Sequence, residues 1–189
     1  LGTAIPAFVR ADHTTHHVLC FDESSSTVVE QRGGQGFAPE SAWARGQAWA
    51  IYGLAIAARY TGESQYRRLS RAIADKFLEM NAPHGVPPWD FRADDATTTV
   101  RDSSAAAIVA CGLLELSDLG DRTALVQSES LLKALIDNCA TFGDDDEDGL
   151  LRNATSNKPE DFGVDVSLIY GDYYFFEALT RLGGGTTCW

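Results

Sequence analysis

The densest chemical signal is Ser41-Ala42-Trp43-Ala44-Arg45-Gly46-Gln47-Ala48-Trp49, which puts two indoles, a guanidinium and a primary amide within seven positions. Indole faces stack on flat or apolar ligand surfaces, and the arginine fork matches a carboxylate. The same residues also suit a core helix with two packed indoles, in which a buried Arg45 needs a charged partner. A second cluster is His13, His16 and His17, followed by the polar run Gln31-Arg32-Gly33-Gly34-Gln35. On a helix His13 and His17 would share a face, as in a zinc pair. The β-branched Thr14-Thr15 opposes a helix there, and Thr14 stands where the HExxH signature needs Glu. A solvated loop histidine, or one histidine facing a cleft, fits better. A third cluster joins Pro88-Trp89-Asp90-Phe91 to Arg101-Asp102-Ser103-Ser104, where Asp102 reads as a helix N-cap before a catalytic acid. Asp144, Asp146, Asp148 and Gly149 imitate the opening of a calcium loop, but the twelfth position is Thr155 and lacks the bidentate Glu, so a solvated acidic turn is expected. There is no GxSxG elbow, P-loop or dinucleotide fingerprint.

The elements that must carry these groups read as helices. Trp43 to Tyr60 is alanine-rich, with Trp49 and Tyr52 on a helical stripe, and Thr61-Gly62 closes it. Tyr66 to Met80 carries Leu69, Ile73, Phe77 and Leu78 at helical spacing with charges between. Pro83, Pro87 and Pro88 enforce a loop. Helices follow over Ser104 to Leu116 and Thr123 to Ala140, and Asp165 is expected to cap a last one running to about Leu182. No period-two strand series stands out. The two hairpin turns, Gly62-Glu63 and Gly120-Asp121, lie 58 positions apart. In each pair the first helix is apolar or small nearly all round and the second is amphipathic. An inner row of buried helices backed by an outer, half-wet row follows. Stacked hairpins of this kind build an open solenoid or a closed toroid.

Length and charge bound the rest. One domain spanning 1–189 is expected from 189 residues, and 44% hydrophobic content supplies a core. The 27 acidic and 15 basic residues leave a formal charge of −12, which argues against a non-specific nucleic-acid binder. No apolar run approaches the roughly 20 residues of a membrane span. Cys20, Cys111, Cys139 and Cys188 are too scattered for a zinc ribbon, and Cys111 reads as a buried thiol in an apolar helix.

Four blocks in order carry a resemblance: Trp43 to Gly53, Pro88-Trp89-Asp90-Phe91, Arg101 to Ala106, and Ser167 to Phe175. They resemble the unsaturated glucuronyl hydrolases. The resemblance implies an all-α fold, the C-terminal half of an (α/α)6 barrel. It implies cleavage of Δ4,5-unsaturated uronic acid from the non-reducing end of lyase-generated oligosaccharides. In that reaction an aspartic acid protonates C4 of the vinyl ether and activates water for attack at C5, and the resulting hemiketal opens to release the sugar. No metal or other cofactor is implied. By the same resemblance His17, Gln35, Trp43, Arg45 and Trp49 are substrate-contacting, Arg45 through the uronate carboxylate or a hydroxyl. Gln47 is a further candidate, and the loop around Asn157 and Lys158 would touch the next sugar. The family's chain is about twice as long, and both catalytic aspartates are expected upstream of Leu1. A second polypeptide supplying the N-terminal half of the barrel is therefore an expected partner, with the oligosaccharide itself.

Three other readings stay open on the sequence. One is a carbohydrate-binding fragment that lacks the acid. Another is a hydrolase of unsaturated rhamnogalacturonyl type on a similar barrel. The third is a helical-repeat scaffold resting on the 58-residue repeat alone.

Overall fold

The computed structural model describes residues 4–82, 84–94 and 100–186. Leu1, Pro83 and Cys188, which figure in the sequence reading, lie outside them.

Helix α1 (Ala4–Phe8) opens the chain, followed by strands β1 (Val18–Phe21) and β2 (Val28–Arg32). Two helical hairpins come next: α2 (Ala44–Thr61) with α3 (Ser64–Asn81), and α4 (Ser103–Asp118) with α5 (Arg122–Asn138). A long loop leads to α6 (Ile169–Leu182). The expected inner and outer rows are both present. Helix α4 sits centrally with α2 and α6 on its two sides, α3 backs α2, and α5 backs α4.

Each helix buries the face its sequence dictates. In α2 the small or branched residues Ala44, Ala48, Ile51, Ala55 and Ala58 recur every three or four positions, and all are buried. Every residue of α4 from Ser103 to Leu116 is buried, as expected for a helix enclosed by its neighbours. Helices α3 and α5 bury only a stripe, Ile73, Ala74 and Phe77 in one and Ala124, Leu131, Leu132 and Leu135 in the other. The two turns are closed by Gly62 and Gly120, at φ 71° and 98°, a region that glycine enters without steric cost. The repeat extends to a side-chain bond. Ser70 Oγ donates to the Ile51 carbonyl at 2.7 Å, and Ser128 Oγ donates to the Ala110 carbonyl at 3.0 Å. In each hairpin a serine of the outer helix thus ties it to the inner one.

The far ends of the inner helices are joined by buried charge. Glu115 on α4 is fully buried and meets Arg59 of α2 at 3.2 Å and Arg181 of α6 at 2.6 Å. Tyr52 donates its hydroxyl to Glu177 at 2.6 Å. Cys111 is buried as expected, and its thiol donates to the Tyr174 carbonyl at 3.2 Å.

Two expectations need correction. The chain is not purely helical: β1 and β2 form an antiparallel hairpin, Val18 opposite Arg32 and Cys20 opposite Glu30, with a register shift between Cys20 and Phe21. Period-two patterning missed it because β2 is exposed along its whole length, so neither of its faces is selected to be apolar. The last helix starts at Ile169 rather than after Asp165. Asp165 has φ 57°, outside the right-handed helical region, and its carboxylate accepts from Asn153 Nδ2 at 2.7 Å. The helix is preceded by Leu168, whose side chain makes no cap bond.

Candidate active site

The first turns of α2 and α4 place Arg45 beside Asp102. Arg45 is 3% exposed and Asp102 is fully buried. Arg45 Nη1 donates to Asp102 Oδ2 at 2.8 Å and to the Thr155 carbonyl at 2.7 Å, and Nη2 donates to the Ser156 carbonyl at 2.6 Å. Asp102 Oδ1 accepts from Ser104 Oγ at 2.5 Å. Burial raises the Asp102 pKa, while Arg45 beside it pulls the other way. Asp102 does occupy the residue before α4, but its carboxylate makes no cap bond and is aimed at Arg45 instead. The buried arginine thus has the partner its surroundings demand.

Aromatic groups close over this pair. The Arg45 guanidinium lies 4.8 Å from the Trp43 ring and 5.1 Å from the Tyr170 ring. The His17 ring is 4.1 Å from Trp43. Gln35 completes the junction, since its Nε2 donates at 3.1 Å to the same Ser156 carbonyl that Arg45 engages. The backbone N–H of Gln35 donates to His17 Nδ1 at 2.9 Å. Gly34 has to be glycine here: its φ is 58°, and a Cβ would lie 2.4 Å from His17 Nδ1.

Burial, chiefly, and the nearby Arg45 charge lower the His17 pKa below its ordinary 6.5, against an opposing pull from the Gly33 carbonyl. A neutral ring can keep Nδ1 as the acceptor for Gln35. Folding therefore disfavours the protonated form, and the unfolded chain takes up its proton first as the pH falls. The contribution is complete above pH 6.5 and is lost as the pH drops toward the folded pKa. We expect Tm to fall between pH 7 and pH 5, and to fall less steeply in His17→Gln. Equal slopes would mean that His17 carries none of the effect.

A second buried carboxylate organises the loop before α2. Asp90 is fully buried and accepts four bonds: Phe37 N at 3.0 Å, Ser41 Oγ at 2.6 Å, Ala42 N at 3.1 Å and Arg92 N at 2.9 Å. Arg10 binds the other side of that loop, donating to the carbonyls of Ser41 at 2.9 Å and Pro39 at 2.7 Å. Sequence reasoning noticed the block containing Asp90 but not this role, and it passed over Arg10 and Tyr170.

The structure brings His17, Gln35, Trp43 and Arg45 into one cluster. Trp49 stands apart. It is 38% exposed, packs edge-on against Tyr174 at 5.3 Å, and lines a cavity of about 370 Å³ with Ile5, Phe8, Val9 and Gly53. Trp43 is 6% exposed, so of the two indoles Trp49 is the one open to a ligand. Gln47 faces no opening. It is fully buried, and neither amide atom has a partner among the described residues. In this chain it therefore lies beneath the surface that Trp49 and His17 reach. Unpartnered buried polar atoms cost roughly 1–3 kcal/mol each, so Gln47→Met is expected to stabilise the chain by about 1 kcal/mol in urea denaturation. A loss of stability would mean that the amide is paired. His13 and His17 do not share a helix, since His13 lies in a turn at φ 63° and His17 immediately precedes β1. Among the described residues no three His, Cys, Asp or Glu side chains are grouped to hold a metal. In the acidic turn, Asp144 pairs with Arg152 at 2.6 Å.

No family model matches the chain. Among curated proteins it is 35% identical over 185 residues to the unsaturated glucuronyl hydrolase of Bacillus sp. GL1, which is 95% of this chain and 49% of that relative. The crystal structure of that Bacillus enzyme matches with a TM-score of 0.88 at 34% identity, over 93% of this chain and 48% of the other. The kinship is to unsaturated glucuronyl hydrolases. A heparin-specific unsaturated glucuronyl hydrolase matches with a TM-score of 0.86 at 32% identity. The unsaturated chondroitin disaccharide hydrolase of Streptococcus pyogenes is 34% identical over 179 residues, 45% of its length. The chain spans about half the length of the curated relatives it matches. The matched glucuronyl hydrolase structures are α/α barrels, and the two helical hairpins with α6 supply about half of one.

Proposed function

We propose that this chain forms the C-terminal half of an (α/α)6 barrel that releases Δ4,5-unsaturated uronic acid from lyase-generated oligosaccharides. The observation that carries the reading is the Arg45–Asp102 pair at the adjoining first turns of two inner helices. It gathers Trp43, His17, Gln35 and Tyr170 around one carbonyl, that of Ser156. Arg45 acts there by position, because two of its terminal nitrogens are committed to Asp102 and to backbone carbonyls. Gln35, His17 and the exposed Trp49 are the groups left to meet a sugar. The general acid comes from the other half of the barrel, as does the closure of the ring.

The flanks of the inner row fit that closure. Helix α2 leaves Trp49, Gly53 and Tyr60 partly or wholly exposed, and α6 leaves Ile169, Tyr173 and Phe176 82%, 39% and 64% exposed. On each helix these residues recur at helical spacing and form a stripe. Each stripe suits a further inner helix, supplied by the same polypeptide or by a second one.

The test is turnover of an unsaturated disaccharide, followed through the ultraviolet absorbance of its conjugated double bond. The 189-residue chain alone is expected to leave the absorbance unchanged, and the complete barrel to abolish it. Turnover by the chain alone would place the acid within these residues. Sugar binding without turnover by the complete barrel would leave a carbohydrate-binding module.

A further inference from the structure

At the end of the molecule opposite this cluster, Arg67 and Arg68 of α3 and Arg122 at the start of α5 line one cavity of about 600 Å³, together with Arg71, Gly120 and a single carboxylate, that of Asp121. Helix α2, which carries Arg45 in its first turn, runs to that end over 18 residues, a length of about 27 Å. In a chain with 27 acidic and 15 basic residues, arginines are expected to find carboxylates, and most described ones do. Arg45, Arg59, Arg92, Arg152 and Arg181 each face at least one. Arg67, Arg68 and Arg122 face none within ion-pair distance among the described residues.

The acids beside the cavity are already engaged. Asp75 is held by Arg71 at 2.8 Å. Asp121 Oδ1 caps α5 through Thr123 N at 3.1 Å and Ala124 N at 3.3 Å, and its Oδ2 lies 3.4 Å from Arg71 Nη1. Arg67 uses Nη1 on the Leu119 carbonyl at 2.9 Å, and Arg68 uses Nη1 on Ser64 Oγ at 2.8 Å. These bonds fix the two side chains at the α3 and α4–α5 borders while their remaining guanidinium donors stay uncommitted. Three guanidinium groups without a carboxylate partner, two of them anchored, around one hollow are suited to a tetrahedral oxyanion, which accepts several charge-assisted bonds at once.

We infer that this arginine-lined hollow is an oxyanion site, separate from the sugar cluster, for a phosphate or sulfate group. The group is either a free inorganic anion or a sulfate ester on an acidic polysaccharide. The inference does not rest on the proposed reaction, because it concerns the opposite end of the fold.

The test uses the full chain and the Arg68→Ala/Arg122→Ala variant, both residues being exposed. Thermal unfolding is followed against sodium sulfate, sodium phosphate and, at matched ionic strength, sodium chloride. Sulfate or phosphate is expected to raise Tm by several degrees, saturating in the millimolar range, and to exceed chloride, with most of the excess lost in the variant. A heparin-type oligosaccharide and its desulfated form are then titrated calorimetrically. Sulfate-dependent binding that weakens about tenfold in the variant assigns the site to a polysaccharide ester. Excess stabilisation by free phosphate or sulfate without oligosaccharide binding assigns it to the free anion. Identical responses to sulfate, phosphate and chloride, or a variant that responds like the parent chain, would overturn the inference.

Discussion

Arg45→Ala is expected to cost the chain about 3–5 kcal/mol of stability, because it leaves the Asp102 carboxylate charged and unpaired in a site with no access to solvent. Asp102→Ala should cost a similar amount, by stranding the guanidinium. Removing both charges together, as Arg45→Ala/Asp102→Ala, is expected to cost clearly less than the two single changes combined, since no bare charge remains. Urea denaturation of the four proteins measures the coupling directly. Additive losses would show that the two groups do not act as a pair. Arg45→Ala is also expected to abolish sugar binding in the complete barrel, because the Ser156 carbonyl would lose Arg45 as a donor and only the Gln35 amide would remain to hold that loop. The double variant, though better folded, should still not bind. That separation of stability from binding would not arise from a merely structural pair.

Asp90→Ala is the other large effect. Its two oxygens accept four bonds, three of them from backbone N–H groups, and the Ala42 N–H has no solvent to turn to. Bonds to a charged group contribute about 1.5–3 kcal/mol each, and a loss of about 3 kcal/mol or more is expected overall. The damage should be local first. Amide exchange at Phe37 and Ala42 is expected to accelerate by orders of magnitude, while amides inside α4 keep their protection. Asp90→Asn keeps one oxygen as an acceptor and should fall between the two. Unchanged exchange at Phe37 and Ala42 in Asp90→Ala would remove this carboxylate as the loop's organiser.

These two carboxylates also mark how far the sequence could be read. The helical hairpins were legible because burial of one face repeats with the helical period, and Gly62 and Gly120 sit where the turns need positive φ. The need of Arg45 for a charged partner was legible from its small, apolar neighbours. The partner was not, because Asp102 lies 57 positions away and at a place where an aspartate ordinarily caps a helix. Gln47 looked like a site residue because it sits between Arg45 and Trp49, yet those side chains leave the helix in different directions. The β hairpin was invisible for the opposite reason, as nothing buried selects its pattern.

The carbonyl of Ser156 accepts from Arg45 across 111 positions and from Gln35 across 121. Such a junction bears on the order of assembly. The paired helices join through short turns and can form early, whereas this oxygen can gather its donors only after most of the chain has been drawn together. The end that carries this junction should therefore be the last region to form during refolding, and the first to come apart in denaturant while the hairpins persist.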